Sequence, residues 1–168
     1  MLPDILEGGL DIVFVGINPG LRSAKAGHYY NNPSNRFWPL LYRSGLLPRR
    51  LNPEDDWKLP RFRVGLTDIV KRVSSGSDKL TSDEFKHGAE ILTQKIGFYR
   101  PSIVCVNGLI VYRALFKGKG GPGAKTELLA GSRLFVLPST SARNALYSSD
   151  RLLAYFLELV QFRKKVCK

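Results

Sequence analysis

A chain of 168 residues and 18.8 kDa holds one domain and has no room for two full ones. Its apolar share of 43% and charged share of 24% exclude a chain disordered throughout and a collagen-like fibre. Lys and Arg outnumber Asp and Glu by 26 to 14, a net charge of +12 with pI near 10.0. The excess is uneven: residues 101–168 hold eleven cations against three anions, while residues 1–50 and 51–100 carry only +3 and +1. A basic lobe on a compact domain points to a polyanion, most often nucleic acid.

No run approaches the roughly 18 apolar residues of a membrane span. No N-terminal stretch combines basic, apolar and small-residue regions, so no secretory leader is expected. Cys105 and Cys167 are too few for a disulfide scaffold or a zinc quartet, and only His28 and His87 could join them, so no metal site and no cofactor are expected. The cysteine usage suits a reducing interior such as cytosol or nucleus.

Taken in chain order, Asp11–Gly16 is a β-branched run closed by glycine and predicts a buried strand. Asn35–Ser44 places Phe37, Leu40 and Leu41 at helical spacing, with Pro39 suited to the first turn. Thr81-Ser-Asp-Glu84 resembles a capping box and opens a helix with Phe85, Ala89, Leu92 and Ile96 on one face. Ser102–Gly108 repeats the first strand pattern, and a helix over Leu109–Phe116 follows it directly. Glu127–Ala130 and Leu134–Leu137 predict a hairpin turning at Gly131-Ser132. Ser149–Arg163 carries a stripe of Leu152, Leu153, Phe156, Leu157 and Val160 and ends in cations that suit a helix C-terminus. Alternating strands and helices predict an α/β fold, a mainly parallel sheet covered on both faces. Ligands of such folds bind beyond the carboxyl ends of the strands. The loops to watch are therefore Ile17–Ser34, Asn107–Gly108 and Pro138–Ser148.

Gly118–Thr126 superficially looks like a phosphate-binding glycine loop, but Ala124 breaks the spacing, Pro122 removes an amide and the segment follows a helix. A solvated basic loop is expected there, with Lys125 free to touch a phosphate backbone. Within Gly16-Ile-Asn-Pro-Gly20-Leu21, Pro19 favours an extended Asn18 and Gly20 allows a sharp turn beside a ligand. Tyr29 is expected to cover the core edge, Tyr30 to be free to stack a nucleobase, and Phe37 and Trp38 to lie in the core. Pro138–Ala145 is rich in small hydroxyl residues that let donors approach phosphates, with Arg143 at its tip.

Gly16-Ile-Asn-Pro-Gly-Leu21, Gly27-His-Tyr-Tyr30, Asn35-Arg-Phe-Trp38, Gly65-Leu-Thr-Asp68 and Pro138-Ser-Thr-Ser-Ala-Arg143 occur in that order. Together they resemble the mismatch-specific uracil-DNA and thymine-DNA glycosylases, over about Leu2 to Phe162. Ser139–Arg143 and Ser82–Gly88 lie nearer the eukaryotic thymine-DNA branch. The resemblance implies a three-layer αβα fold and a monofunctional hydrolase that removes a flipped uracil opposite guanine. It implies that Asn18 positions the attacking water and that Tyr30 stacks on the base. Ile17, Gly20, Leu21, Ser23, Asp68 and Ser139 would surround that base. Arg143 would fill the vacated stack, with Ser141 and Ala142 shaping the wedge and His28 and Lys125 near the DNA backbone. It further implies a monomer on duplex DNA, a nuclear location (or the nucleoid in a bacterium), and hand-over of the abasic product to an endonuclease.

Three residues depart from the thymine-processing pattern: Ser23 for alanine, Asp68 for asparagine, and Ser74 near a threonine. A Ser23 hydroxyl would narrow the space for a 5-methyl group, and an acid at 68 would repel a 5-carboxyl group or donate if protonated. Uracil is therefore expected as substrate ahead of thymine or oxidised cytosines. The alternative on the same fold is a non-catalytic reader of flipped or single-stranded bases. A hydrolase of free nucleosides would need neither the basic lobe nor Arg143.

Overall fold

In a computed structural model, residues 1–117 and 119–168 are described. Gly118, in the basic glycine loop, lies outside them. A five-stranded sheet has the order β2-β1-β3-β5-β4, formed by β1 (Ile12–Gly16), β2 (Val64–Asp68), β3 (Ile103–Asn107), β4 (Gly123–Leu129) and β5 (Ser132–Leu137). Four strands run parallel, and β4 pairs antiparallel with β5. Side chains along β1 alternate between faces, as strand geometry requires. Ile12 and Phe14 join one core with Phe37, Leu40, Leu152, Phe156 and Leu159, under α2 (Phe37–Arg43) and α5 (Ser149–Val166). Val13 and Val15 join the other with Leu92, Ile96 and Val111, under α3 (Ser82–Tyr99) and α4 (Leu109–Leu115). The result is the expected three-layer αβα arrangement. The Thr81–Glu84 capping box is present in both directions, and Pro39 sits in the first turn of α2.

Several elements differ from the sequence reading. β2 went unpredicted because Gly65, Thr67 and Asp68 interrupt its apolar pattern, yet all five of its residues are buried. Residues 21–26, read as loop, form a short helix α1 (Leu21–Ala26) closed by left-handed Gly27. Pro53–Phe62 forms a 3₁₀ segment opened by an Asn52–Asp55 capping box. The hairpin turns at Ala130-Gly131, both at positive φ, one residue earlier than expected. Gly123–Lys125 belongs to β4 and is not part of a loop, which removes any phosphate cradle at that point. On α5 the buried stripe is Leu152, Phe156, Leu159 and Phe162, whereas Leu157 is exposed. That correction follows from the helical period: 152, 156 and 159 share a face that 157 leaves.

The chain leaves β1 toward β2 on one side and returns to β3 on the other. The carboxyl ends of β1 and β3 are thus a topological switch point, where open α/β sheets form their ligand crevices.

Candidate active site

A cleft of about 700 Å³ opens at that switch point. The segments after β1, β3 and β5 line it, joined by Ser74–Ser77 and by Asp68 at the end of β2. Ile17, Asn18, Gly20, Leu21, Ser23, Tyr30, Asp68, Ser139, Ser141 and Arg143 all meet there. Three residues expected at the DNA backbone or wedge lie outside this lining. His28 turns its Nδ1 to Asp56 Oδ1 at 3.2 Å. Lys125 lies on the edge strand β4, with its Nζ 5.1 Å from the centre of the Tyr112 ring. Ala142 is exposed on the β5 loop, outside the lining. Arg22, Arg143 and Asp68 are the charged residues lining the cleft among the described residues, so most of the C-terminal basic excess lies elsewhere.

The Asn18 amide is held in one orientation. Its Nδ2 donates to the Arg72 carbonyl at 2.8 Å and to Ser74 Oγ at 2.7 Å. A carbonyl can only accept, and Ser74 spends its own proton on the Gly76 carbonyl at 2.8 Å. Both contacts therefore demand the NH₂ side of Asn18, and its Oδ1 has no partner among the described hydrogen bonds. A fixed acceptor of this kind can orient a water without removing its proton.

Gly20 has φ −75° and ψ 167°, ordinary extended backbone, and a Cβ there would meet nothing within 4 Å. It caps α1 in a conformation open to any residue, so the sharp turn expected there does not draw on glycine's freedom. The glycine the geometry requires is Gly16. A Cβ on Gly16 would stand 2.5 Å from Asp68 Oδ1 and 3.0 Å from the Tyr30 hydroxyl. Tyr30 adopts φ +52°, an uncommon conformation for a bulky residue, and its ring stacks on Phe37 at 4.1 Å between centres. Tyr29 lies in the core as expected and donates its hydroxyl to the Pro3 carbonyl at 2.9 Å. Ser23 Oγ accepts the Asn31 N–H at 3.0 Å, so its hydroxyl pins the turn that follows Tyr30.

Two buried polar atoms on this floor have no hydrogen-bond partner: the Tyr30 hydroxyl and Asp68 Oδ2. Most such groups in proteins are paired, and an orphan asks for a reason. Burial raises the Asp68 carboxyl to about 7, with Asp4 adding to the rise and Lys71 and Lys95 opposing it. Burial, reinforced by the Asp68 charge, holds the Tyr30 phenol well above its ordinary range.

The wall after β5 depends on residues that sequence reasoning left out of the site. Arg36 donates to four loop carbonyls: Thr140 at 3.3 Å, Tyr147 at 2.6 Å, Ser141 at 2.9 Å and Asn144 at 3.3 Å. Asn107 clasps Thr140 through its backbone N–H at 3.1 Å and its hydroxyl at 3.0 Å, and Thr140 Oγ1 lies 2.9 Å from Asn35 Oδ1. The only sequence signal was the cluster Asn35-Arg-Phe-Trp38, whose aromatic half drew attention to the core. Arg143 stands exposed at the loop tip above Gly76, outside the ion pairs of the described residues.

Residues 3–162 match the family model described as the uracil DNA glycosylase superfamily. The chain belongs to that superfamily. Its fold is also similar to a solution NMR structure from Methanosarcina acetivorans, of a protein named as a candidate uracil DNA glycosylase. The TM-score is 0.62 at 26% identity, covering 95% of this chain and 96% of that one. Superfamily members are hydrolytic DNA glycosylases, so the general activity is cleavage of a base–sugar bond and the partner is DNA.

Proposed function

We propose that this protein is a monofunctional glycosylase that excises uracil flipped from a G·U mismatch and leaves an abasic site. The observation that carries the reading is the tethered Asn18 amide, with a free acceptor oxygen in the cleft at the switch point. Breaking the glycosidic bond builds positive charge on the sugar and negative charge on the base. An oxocarbenium-like centre needs only an oriented water, which an amide can supply without acting as a base. Among the described residues no lysine lines the cleft, which agrees with hydrolysis without lyase chemistry. Arg143, exposed beside the opening, is suited to fill the gap left by an extruded base. Extrusion costs least for a base that is already mismatched, which favours G·U over A·U. The sequence resemblance to the mismatch-specific and thymine-DNA branch supports the same assignment.

The test is a side-by-side panel of G·U, G·T, A·U and G·5-carboxylcytosine duplexes with free deoxyuridine, read as abasic sites under single turnover. G·U should be cleaved fastest and deoxyuridine negligibly. Tight binding of duplexes without any abasic product would instead establish a non-catalytic reader.

A further inference from the structure

Asn18 keeps its orientation through a segment that is itself held from outside the cleft. Beyond β1 and β2 the two chains stay zipped. Ile69 N–H donates to the Gly16 carbonyl and Val70 N–H to the Ile17 carbonyl, both at 2.9 Å, and Ser74 N–H reaches the Pro19 carbonyl at 3.3 Å. The stretch from Val70 to Ser74 is twice as long as the facing stretch from Ile17 to Pro19, so residues 71–73 must bow away. The carbonyl of Arg72, within that bow, is the one that takes the Asn18 amide at 2.8 Å. A bowed segment lacks a ladder of its own, and its carbonyl is only as steady as the side chains that anchor it.

Arg72 is the anchor toward α3. Its Nε donates to Glu84 Oε1, its Nη2 to Glu84 Oε2 at 3.0 Å, and Nη2 again to the Lys79 carbonyl at 2.9 Å. Glu84 is fixed in turn, because its Oε2 accepts the Thr81 N–H at 2.8 Å in the capping box of α3. The Arg72 guanidinium holds the Glu84 carboxyl down at about 2, so the pair stays charged around neutral pH. Both side chains lie outside the cleft lining, and that of Arg72 is 52% exposed. An exposed ion pair adds little to stability, yet a bidentate one fixes geometry. Accepting the glycosylase reading and the part of Asn18 in it, we propose that Arg72 and Glu84 are positioning residues: their ion pair steadies the carbonyl that aims the Asn18 amide. An exposed contact at the start of α3 thereby governs the rate of the chemical step.

The experiment measures single-turnover excision of uracil from a G·U duplex at saturating enzyme. It compares wild type, Arg72→Ala and Glu84→Gln, and repeats both substitutions in the Asn18→Ala background. Glutamine keeps the capping box, since it can still accept the Thr81 N–H, but it gives up the charge and the second acceptor oxygen. Each single substitution should slow excision about tenfold, because a small misplacement of a positioning group has effects of that order. The unfolding midpoint of Glu84→Gln should stay near that of wild type. The two substitutions alter net charge in opposite senses, so attraction for DNA cannot explain a loss of rate in both. In the Asn18→Ala background neither should slow the residual excision further. Wild-type rates in both single variants overturn the proposal and leave the glycosylase reading intact. Losses that persist in full without Asn18 also overturn it, because the pair then acts through another group. Failure of the wild-type protein to excise uracil overturns the glycosylase reading and this proposal with it. Should Arg72→Ala fail to fold, the Glu84→Gln series decides alone.

Discussion

The wall of the cleft is irregular chain with its carbonyls satisfied, and the floor, where the end of β2 meets the turn after α1, leaves two polar groups unsatisfied. In the wall, Arg36 and Thr140 hold the carbonyls and hydroxyls that a loop leaves open. On the floor, the hydroxyl of Tyr30, in the turn after α1, and Asp68 Oδ2, at the end of β2, are buried without a hydrogen-bond partner. Two carboxylates sharpen the contrast. Asp4 takes hydrogen bonds from Thr67, Lys71 and Lys95; burial pushes its carboxyl up, but those partners outweigh it and hold it below the ordinary value. Asp68, next in sequence to Thr67, takes none and is raised. The acid that ties the N-terminal segment to β2 and α3 is surrounded by donors, whereas the acid that lines the cleft is not. Polar saturation thus separates the scaffold of this cleft from its working surface.

Asn18 is where the two regimes meet, its NH₂ saturated and its oxygen free, and breaking it has the largest expected effect. Asn18→Ala should cut single-turnover excision of G·U by about 10²–10³, the usual cost of removing one preorganised group at a reacting centre. On the proposed role of Asn18, an interaction made in the transition state, duplex affinity in anisotropy titrations should barely move. His28, outside the cleft and turned to Asp56, should be replaceable by alanine with little loss of rate.

Breaking the wall comes next. Arg36→Ala removes four charge-assisted hydrogen bonds at once and should cost about 2–3 kcal/mol of stability in denaturant titrations. Its sharper signature is selectivity. Excision of paired uracil should fall about tenfold more than excision from single-stranded DNA, where no stacked partner must be replaced. If Arg36 works by aiming Arg143, the two changes are not additive, and Arg143→Ala should have little further effect in the Arg36→Ala background. Additive losses in that double-mutant cycle would reduce Arg36 to general support of the fold.

Much of this architecture was legible in the sequence, for reasons that differ by element. β1 and β3 announced themselves as apolar runs rich in β-branched residues, and α3 through a reciprocal cap that is purely local chemistry. β2 was hidden because a buried edge strand that ends in Thr67-Asp68 spends those side chains on Asp4 and the cleft, not on an apolar face. Asn18 could be found from its motif, but its tether could not, since Arg72 and Ser74 lie more than fifty residues away. The part played by Arg36 was hidden for the same reason, although its motif was visible: its partners are distant backbone carbonyls, which carry no sequence signature. That His28 turns to Asp56 and Lys125 to Tyr112 was hidden too, because a polar residue near a motif looks alike whatever it faces.

The floor can be probed by stability. A carboxyl whose folded value, about 7, lies above its ordinary 3.8 favours the folded state when protonated. That contribution is fully present below the unfolded value and is lost as pH rises through the folded one. Wild type should therefore lose stability relative to Asp68→Asn between pH 4 and pH 8, by on the order of 3–4 kcal/mol at most. Groups common to both proteins cancel in the difference. Paired urea titrations at four or five pH values would measure it, and a difference independent of pH would show that Asp68 keeps one charge state throughout.

The smallest effect, and the finest test of the division, falls on Ser23, which belongs to both sides. Its Oγ lines the cleft and also accepts the Asn31 N–H at 3.0 Å, next to Tyr30 in its unusual positive-φ conformation. Ser23→Ala removes a hydroxyl that narrows the cleft and, with it, a hydrogen bond that pins the turn. The first effect should raise the G·T to G·U rate ratio by a factor of about 10, the lower end of what one methyl-sized change in a pocket delivers. The second should lower stability by about 1 kcal/mol. Ser23→Thr separates them, since it keeps the hydroxyl and adds bulk: stability should be largely retained while the G·T ratio falls below wild type. If both variants leave the ratio unchanged and alanine alone loses stability, Ser23 belongs wholly to the scaffold and does not read the 5-position.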